Sequence, residues 1–190
     1  MEPPAGDAEA QALSAWERGD MPSALTLLCR ALGAPVYRYC LRMVGEAALA
    51  DDVHQSVFAQ ACEDLPRFER RSSLRSWLFA IAHHRCLDAL KSGRRFAQRF
   101  ELSDEPPQQA DPSAPPDEQF AARALATSLG DCLQGLPAHV RMAVLLRHQE
   151  GFGYEEMARI SREKAGTLQA RVARAMLSLR ECLEGKGVAP

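Results

Sequence analysis

Arginines and aromatic residues are concentrated between residues 66 and 100, and they are the side chains of this chain best suited to hold a nucleic acid. This segment carries 9 basic and 2 acidic residues, in a chain whose net charge is −2. Guanidinium groups bind phosphates, and aromatic rings stack on unpaired bases. The cations at its start are Arg67, Arg70, Arg71 and Arg75, which flank Phe68. Charge alone fits a nucleic acid partner and a solvated helix face equally well.

Covalent chemistry and metal binding have no comparable pattern. The cysteines are scattered singly, without a CxxC pair, so we expect free thiols rather than disulfides or metal ligands. His83, His84 and Cys86 are the densest potential ligands, but neighbouring residues on a helix point in different directions. The sequence therefore predicts no catalytic residue, no bound metal and no cofactor. The six cysteines are Cys29, Cys40, Cys62, Cys86, Cys132 and Cys182.

Helices must position these side chains, because apolar residues recur at helical spacing along almost the whole chain and no alternating strand pattern appears. Gly19, Gly33 and Gly45 are predicted to mark turns or helix ends. No run of about 18 apolar residues is present, so no membrane span is expected. Helices are predicted near residues 7–18, 21–32, 35–45, 50–64, 73–92, 118–134, 137–149, 154–160 and 164–183.

A segment rich in proline and acidic residues divides these helices into two groups. Between Leu102 and Asp117 the chain contains five prolines and almost no apolar residue. Such a segment cannot form a packed helix or bury enough surface to fold. The sequence predicts an all-α protein of two small helical domains, residues 1–100 and 119–190, joined by a flexible, acidic, proline-rich linker at residues 101–118.

The C-terminal domain has the helix spacing of a helix–turn–helix. A short helix begins at Tyr154, a turn follows at Ser161 and Arg162, and a longer helix comes next. In such a motif the second helix enters the major groove of DNA. A helical hairpin without a nucleic acid role fits this shape equally well. The polar face of the longer helix includes Thr167, Gln169, Arg171 and Arg174.

The residues from Leu136-Pro137 to Leu183 resemble region 4 of the sigma-70 family of transcription initiation factors. The resemblance rests on three motifs: the Leu-Pro start, Gly151-Phe152-Gly153-Tyr154-Glu155-Glu156, and Gly166-Thr167-Leu168-Gln169-Ala170-Arg171. It implies that this domain binds the −35 promoter element and packs on the flap of RNA polymerase. The implied DNA contacts are Lys164, Thr167, Gln169, Arg171 and Arg174.

The N-terminal domain is similar to region 2 of the same family. Asp52-Val53-His54-Gln55-Ser56-Val57-Phe58 looks like the helix that docks on the clamp coiled coil of the polymerase, which implies docking through Asp52, Gln55 and Ser56. The loop before Trp77 resembles the loop that captures a base flipped out of the −10 element. For Phe68, a core position and a role in this pocket both remain open. The implied −10 contacts are Arg67, Phe68, Arg70, Arg71, Arg75, His84, Arg85, Asp88, Lys91, Arg94 and Arg95.

Two regions joined only by a linker resemble the extracytoplasmic-function (ECF) group of this family. The resemblance implies a cytoplasmic, non-enzymatic bacterial factor that binds core RNA polymerase, promoter DNA and an anti-sigma factor. The alternative is a sigma-like protein that titrates an anti-sigma factor or polymerase without initiating transcription. Gln169, Ala170, Ala173 and Met176 motivate it, because the family often has more basic residues there. Arg162 stands where the turn usually has glycine, and a left-handed backbone would cost it about 1–2 kcal/mol.

Overall fold

A computed structural model describes the backbone of residues 5–100 and 118–187, and the side chains of residues 8–93 and 124–187. The described part is all-α and contains no strand, as predicted. The predicted linker at residues 101–118 lies, except for its last residue, outside the described residues. The helices are α1 (Ala5–Glu17), α2 (Met21–Val44), α3 (Ala47–Asp64), α4 (Leu74–Phe100), α5 (Glu118–Gln134), α6 (Ala138–Val144), α7 (Tyr154–Ser161) and α8 (Ala165–Gly185).

Helix α2 is the central element of the N-terminal bundle, and it runs through the break that we predicted at Gly33. Leu28, Leu32, Val36 and Tyr39 are all buried on one face, so the apolar stripe continues across the glycine at helical spacing. Pro35 also lies inside this helix. The prediction of two helices here was wrong because burial of this stripe outweighs the local helix-breaking tendency of glycine and proline.

The helix ends predicted at Gly19 and Gly45 are confirmed, and both glycines have a positive φ. Gly19 and Gly45 have φ values of 78° and 86°, and Gly45 forms the left-handed cap of α2. Helix α4 extends to Phe100, beyond its predicted end near residue 92. A 3₁₀ turn at Leu65–Arg67 links α3 to the loop before α4.

The C-terminal module contains the predicted helix–turn–helix, formed by α7 and α8. The Glu156 carboxylate accepts a hydrogen bond of 3.0 Å from the Gly153 N–H and so caps the start of α7. Arg162 ends α7 with φ 59° and ψ 34°, which confirms a left-handed turn without the usual glycine. The apolar face of α8 is buried through Leu168, Val172 and Leu179, as the helical spacing predicted.

Two of the six cysteines form a disulfide, which corrects the expectation that all six are free thiols. Cys132 of α5 is bonded to Cys182 of α8, with their Cα atoms 5.9 Å apart. Each cysteine lies in a segment with apolar helical periodicity, but this periodicity does not tell which helix faces meet. The free cysteines are Cys29, Cys40, Cys62 and Cys86, as expected.

The two modules pack against each other. The rings of Phe79 in α4 and Phe152 in the loop before α7 are 5.2 Å apart and meet edge to face. The buried Arg141 of α6 donates a hydrogen bond of 2.6 Å to the carbonyl of Met43, at the end of α2. Within the described residues, no helix is long and apolar enough to cross a membrane.

Candidate polymerase and nucleic-acid interface

Helix α3 places the predicted docking residues on the side opposite its core contacts. Asp52 and Gln55 are exposed, whereas Val53 and Val57 are buried against the bundle. Ser56 is half-buried, and its hydroxyl donates a 2.7 Å hydrogen bond to the carbonyl of Val53. The carboxylate of Asp52 and the amide of Gln55 are therefore presented to solvent, where a basic partner surface can reach them.

The loop before α4 holds Phe68 in an aromatic cluster. Phe68 is only 7% exposed, and its ring centroid lies 5.5 Å from that of Trp16 and 5.4 Å from that of Trp77. A cavity of about 360 Å³ opens beside it and has Phe68 in its wall. The Phe68 ring therefore packs in the aromatic cluster and also lines the cavity, and its role in capturing a base stays a prediction.

Three arginines of this loop are exposed and have weak ion-pair partners at most. Arg70 lies 2.5 Å from Glu17 of α1, and Arg71 lies 2.5 Å from Glu69. Exposed pairs of this kind contribute about 0–1 kcal/mol, so a phosphate can replace the carboxylate. Arg67 is exposed as well. These guanidinium groups remain candidates for binding a nucleic acid backbone.

Arg75 contacts the C-terminal module. Its Nη2 atom donates to the carbonyl oxygen of Glu150 at 2.5 Å and lies 3.3 Å from the Glu150 carboxylate. Its guanidinium carbon lies 4.2 Å from the ring centroid of Phe152, at cation–π distance. Sequence reasoning missed Glu150 and Phe152 as partners, and no local pattern could have identified residues so distant along the chain.

The remaining candidate −10 contacts lie along α4. The stretch from Arg75 to Lys91 is about 24 Å long, at 1.5 Å per residue. His84, Asp88 and Lys91 are exposed, and Lys91 lies 3.8 Å from Asp88. Arg85 donates a hydrogen bond to the side-chain carbonyl of Gln60. The side chains of Arg94 and Arg95 lie outside the described residues.

The turn of the helix–turn–helix lies near the middle of α4. Partial burial lowers the pKa of His84 below its usual value, and the positive charge of Arg162 lowers it further. The charge of Glu163, the next residue, acts in the opposite direction on His83. The predicted −10 face of α4 is therefore close to the C-terminal module. We call this packing of the two modules against each other the closed arrangement.

His83 is a buried neutral histidine. It is 3% exposed, and its Nδ1 atom lies 3.5 Å from the hydroxyl oxygen of Tyr39. Burial lowers the pKa of His83 to about 4, with a smaller contribution from His84. Burial also raises the pKa of Tyr39, so both groups stay neutral around pH 7.

Acid should destabilise the protein through His83. The unfolded histidine takes up its proton near pH 6.5, whereas the folded one does so only near pH 4. The free energy of unfolding is therefore unaffected by His83 above pH 6.5 and falls as the pH is lowered towards 4. The free energy of unfolding should fall by about 3 kcal/mol between pH 6.5 and pH 4. Urea unfolding at several pH values measures it. The variant His83→Gln should show a flatter dependence, and identical slopes in the two proteins would contradict this assignment.

Helix α8, the second helix of the helix–turn–helix, exposes most of its predicted DNA contacts. Lys164, Thr167, Gln169 and Arg174 are exposed. Arg171 is different, because its side chain is only 14% exposed and both terminal nitrogens bind the Glu163 carboxylate, at 2.7 and 2.6 Å. This bidentate pair lowers the pKa of Glu163 and fixes the turn against α8.

Potential metal ligands are dispersed in the described parts of both modules. No three histidine, cysteine or acidic side chains among residues 8–93 and 124–187 come together in a geometry that could hold an ion. The structure instead presents an aromatic cluster around Phe68 with exposed arginines in the same loop, and an exposed polar face on α3.

Comparison with known proteins gives the same two-part division. The family model for sigma-70 region 2 matches residues 28–96, and the model for sigma-70 region 4 matches residues 126–179. The RNA polymerase sigma factor CarQ of Myxococcus xanthus is 31% identical over 151 residues, which cover 78% of this chain and 82% of CarQ. The ECF RNA polymerase sigma factor SigC of Mycobacterium tuberculosis is 32% identical over 158 residues, covering 80% and 79%.

Solved structures share the fold. The sigma factor RpoE, in complex with the anti-sigma factor NepR from Bartonella quintana, matches with a TM-score of 0.67 and 23% identity over 82% of this chain and 94% of RpoE. CnrH, in complex with the cytosolic domain of CnrY, matches with a TM-score of 0.63 and 22% identity over 94% and 96%. With these similarities, the chain belongs to the sigma-70 family, within the ECF RNA polymerase sigma factors.

Proposed function

We propose that this sigma factor docks on core RNA polymerase through α3, holds the melted −10 strand along the loop and α4, and places α8 in the major groove of the −35 element. The matches to region 2 and region 4, in that order along one chain, carry this proposal. The protein acts by binding, without covalent catalysis, in the cytoplasm where polymerase and promoters are found. Residues 1–100 form the −10 domain, 101–118 the linker and 119–190 the −35 domain.

Binding both elements at once requires the two modules to separate. Positions −35 and −10 lie about 25 base pairs apart, or ~85 Å at 3.4 Å per base pair. A compact chain of 190 residues has a radius of gyration of about 16 Å, too small to reach both. A linker of 18 residues spans at most about 60 Å and adds the reach that is needed. We therefore assign the closed arrangement to the free chain and an open one to the promoter complex.

A variant of the docking face tests the proposal. Replacing Asp52 and Gln55 with alanine removes the charge and the amide that α3 presents, so promoter-specific run-off transcription with core polymerase should fall by about tenfold or more. The exposed Glu63→Ala is the matched control, about 16 Å farther along the same helix, and it should keep full activity. Full transcription by the double variant, or no transcript from any genomic promoter with the unmodified chain, would refute the docking role.

A second candidate function is suggested by the exposed face of α8. Leu177 and Met176 are 62% and 42% exposed there, and apolar side chains at such positions suit a protein partner better than phosphates. The matched RpoE and CnrH structures are complexes with NepR and with the cytosolic domain of CnrY. We propose that this chain also binds an anti-sigma factor. Binding of an anti-sigma factor without binding of polymerase would identify the chain as a sigma-like decoy.

A further inference from the structure

Helix α1 forms one wall of the cavity beside Phe68. The wall includes Glu9 and Leu13, which face Phe68 and Leu74 across a space of about 360 Å³. Pockets of a few hundred Å³ hold small ligands, so this one can take a single nucleobase. All of α1 lies outside the match to sigma-70 region 2, which begins at residue 28. Its contribution to a base pocket would therefore lie outside the segment matched by that family model.

Three contacts fix α1 against the loop. The indole N–H of Trp16 donates a 2.9 Å hydrogen bond to the carbonyl of Leu65. The Glu17 carboxylate pairs with Arg70, a non-glycine residue at φ 57°. Glu9 Oε1 accepts a 3.0 Å hydrogen bond from the backbone N–H of Arg75. Because these contacts lie along the length of α1, the cavity wall is preorganised.

Glu9 gives this wall a definite chemistry. An ionised carboxylate only accepts hydrogen bonds and has about four sites for them, so the one to Arg75 leaves capacity for a ligand. Adenine, cytosine and guanine carry an exocyclic amino group that can donate to it. Thymine has no amino group; its one ring donor, N3–H, is flanked by two carbonyl oxygens that would lie beside the negative charge of Glu9. The cavity thus favours one class of base.

We infer that Glu9 is a specificity-determining residue that makes this cavity select a base with an exocyclic amino group over thymine. The inference rests on the proposed capture of a −10 base by the same loop. Phe68, Leu13 and Leu74 supply apolar walls for the ring, and the loop arginines hold the neighbouring phosphates.

Binding of single-stranded DNA to the full chain tests this role. The probes are labelled homopolymers of deoxycytidine, deoxyadenosine and deoxythymidine, each about twelve nucleotides long, with affinity measured by fluorescence anisotropy at fixed salt. The unmodified chain should bind the cytidine and adenosine polymers about tenfold more tightly than the thymidine polymer. In Glu9→Gln the ratio should fall to about one, because an amide also donates to thymine carbonyls. The amide oxygen still accepts from Arg75.

The variant Glu46→Gln is the matched control, since it makes the same change of charge at an exposed residue before α3 and should keep the full preference. Thermal unfolding of Glu9→Gln checks that the fold is intact. Equal affinity of the unmodified chain for the three polymers, or an unchanged preference in Glu9→Gln, overturns the role of Glu9 and leaves the −10 function standing. Failure to bind any of the polymers, both as the free chain and in complex with core RNA polymerase, overturns both.

Discussion

Replacing Arg141 with leucine should lower the free energy of unfolding by about 3–5 kcal/mol. The arginine is buried, and beyond its 2.6 Å bond to Met43 it donates to the carbonyls of Gln134 at 3.0 Å and Leu136 at 3.2 Å. A fourth guanidinium hydrogen bond goes to the side-chain oxygen of Gln134. Leucine fills a similar space but cannot donate, so these acceptors lose a partner in a region that excludes water.

Chemical unfolding followed by circular dichroism measures this loss. The control is Arg159→Leu, which removes an exposed arginine from α7 and should change stability by no more than about 0.5 kcal/mol. Because Arg141 bonds both to its own module and to the end of α2, its removal should also weaken the contact between the modules. A change below about 1 kcal/mol in Arg141→Leu would show that these hydrogen bonds contribute little.

Glu150→Arg should open the closed arrangement. Arg75 contacts the carboxylate and the carbonyl of Glu150 and the ring of Phe152. The substitution replaces this carboxylate with a second guanidinium. Placing two like charges side by side in this partly buried contact costs several kcal/mol, which acts against the closed arrangement. Small-angle scattering should then show a radius of gyration well above the ~16 Å of the compact chain. The released Arg75 should also strengthen binding of single-stranded DNA.

The exposed Glu155→Arg has the same change of charge a few residues away and should leave the scattering unchanged. Far-ultraviolet circular dichroism distinguishes separation of two folded modules from unfolding, since separation preserves the helical signal. If Glu150→Arg keeps the compact radius, the contact through Arg75 does not hold the modules together.

Helical spacing in the sequence was enough to predict the fold class and most helices, because burial of one face leaves a periodic signal. It failed at Gly33, where two local helix breakers lie within a helix held by long-range packing. It also could not show that Cys132 faces Cys182, because pairing across 50 residues depends on how α5 and α8 meet.

The sequence was enough to predict which residue types form the candidate site, but not which side chains they contact. The sequence indicates that Arg75 and Arg171 are cations in the right segments, yet the structure pairs them with Glu150 and Glu163. These pairings arise from tertiary contacts or from the shape of a turn, and neither has a signature in a single sequence. No pattern in the sequence pointed to Glu9, so its role could be inferred only from the cavity that it lines.

The bond between Cys132 and Cys182 has a topological consequence. It closes the chain into a covalent ring that contains α6, α7 and most of α8. A single proteolytic cut at Gly151 would leave both fragments attached to each other. The ring also restricts the unfolded chain, which for a loop of 50 residues stabilises the folded state by about 4 kcal/mol. Reduction opens the ring and removes this restriction, so the redox potential of the surroundings changes the stability of the folded C-terminal module.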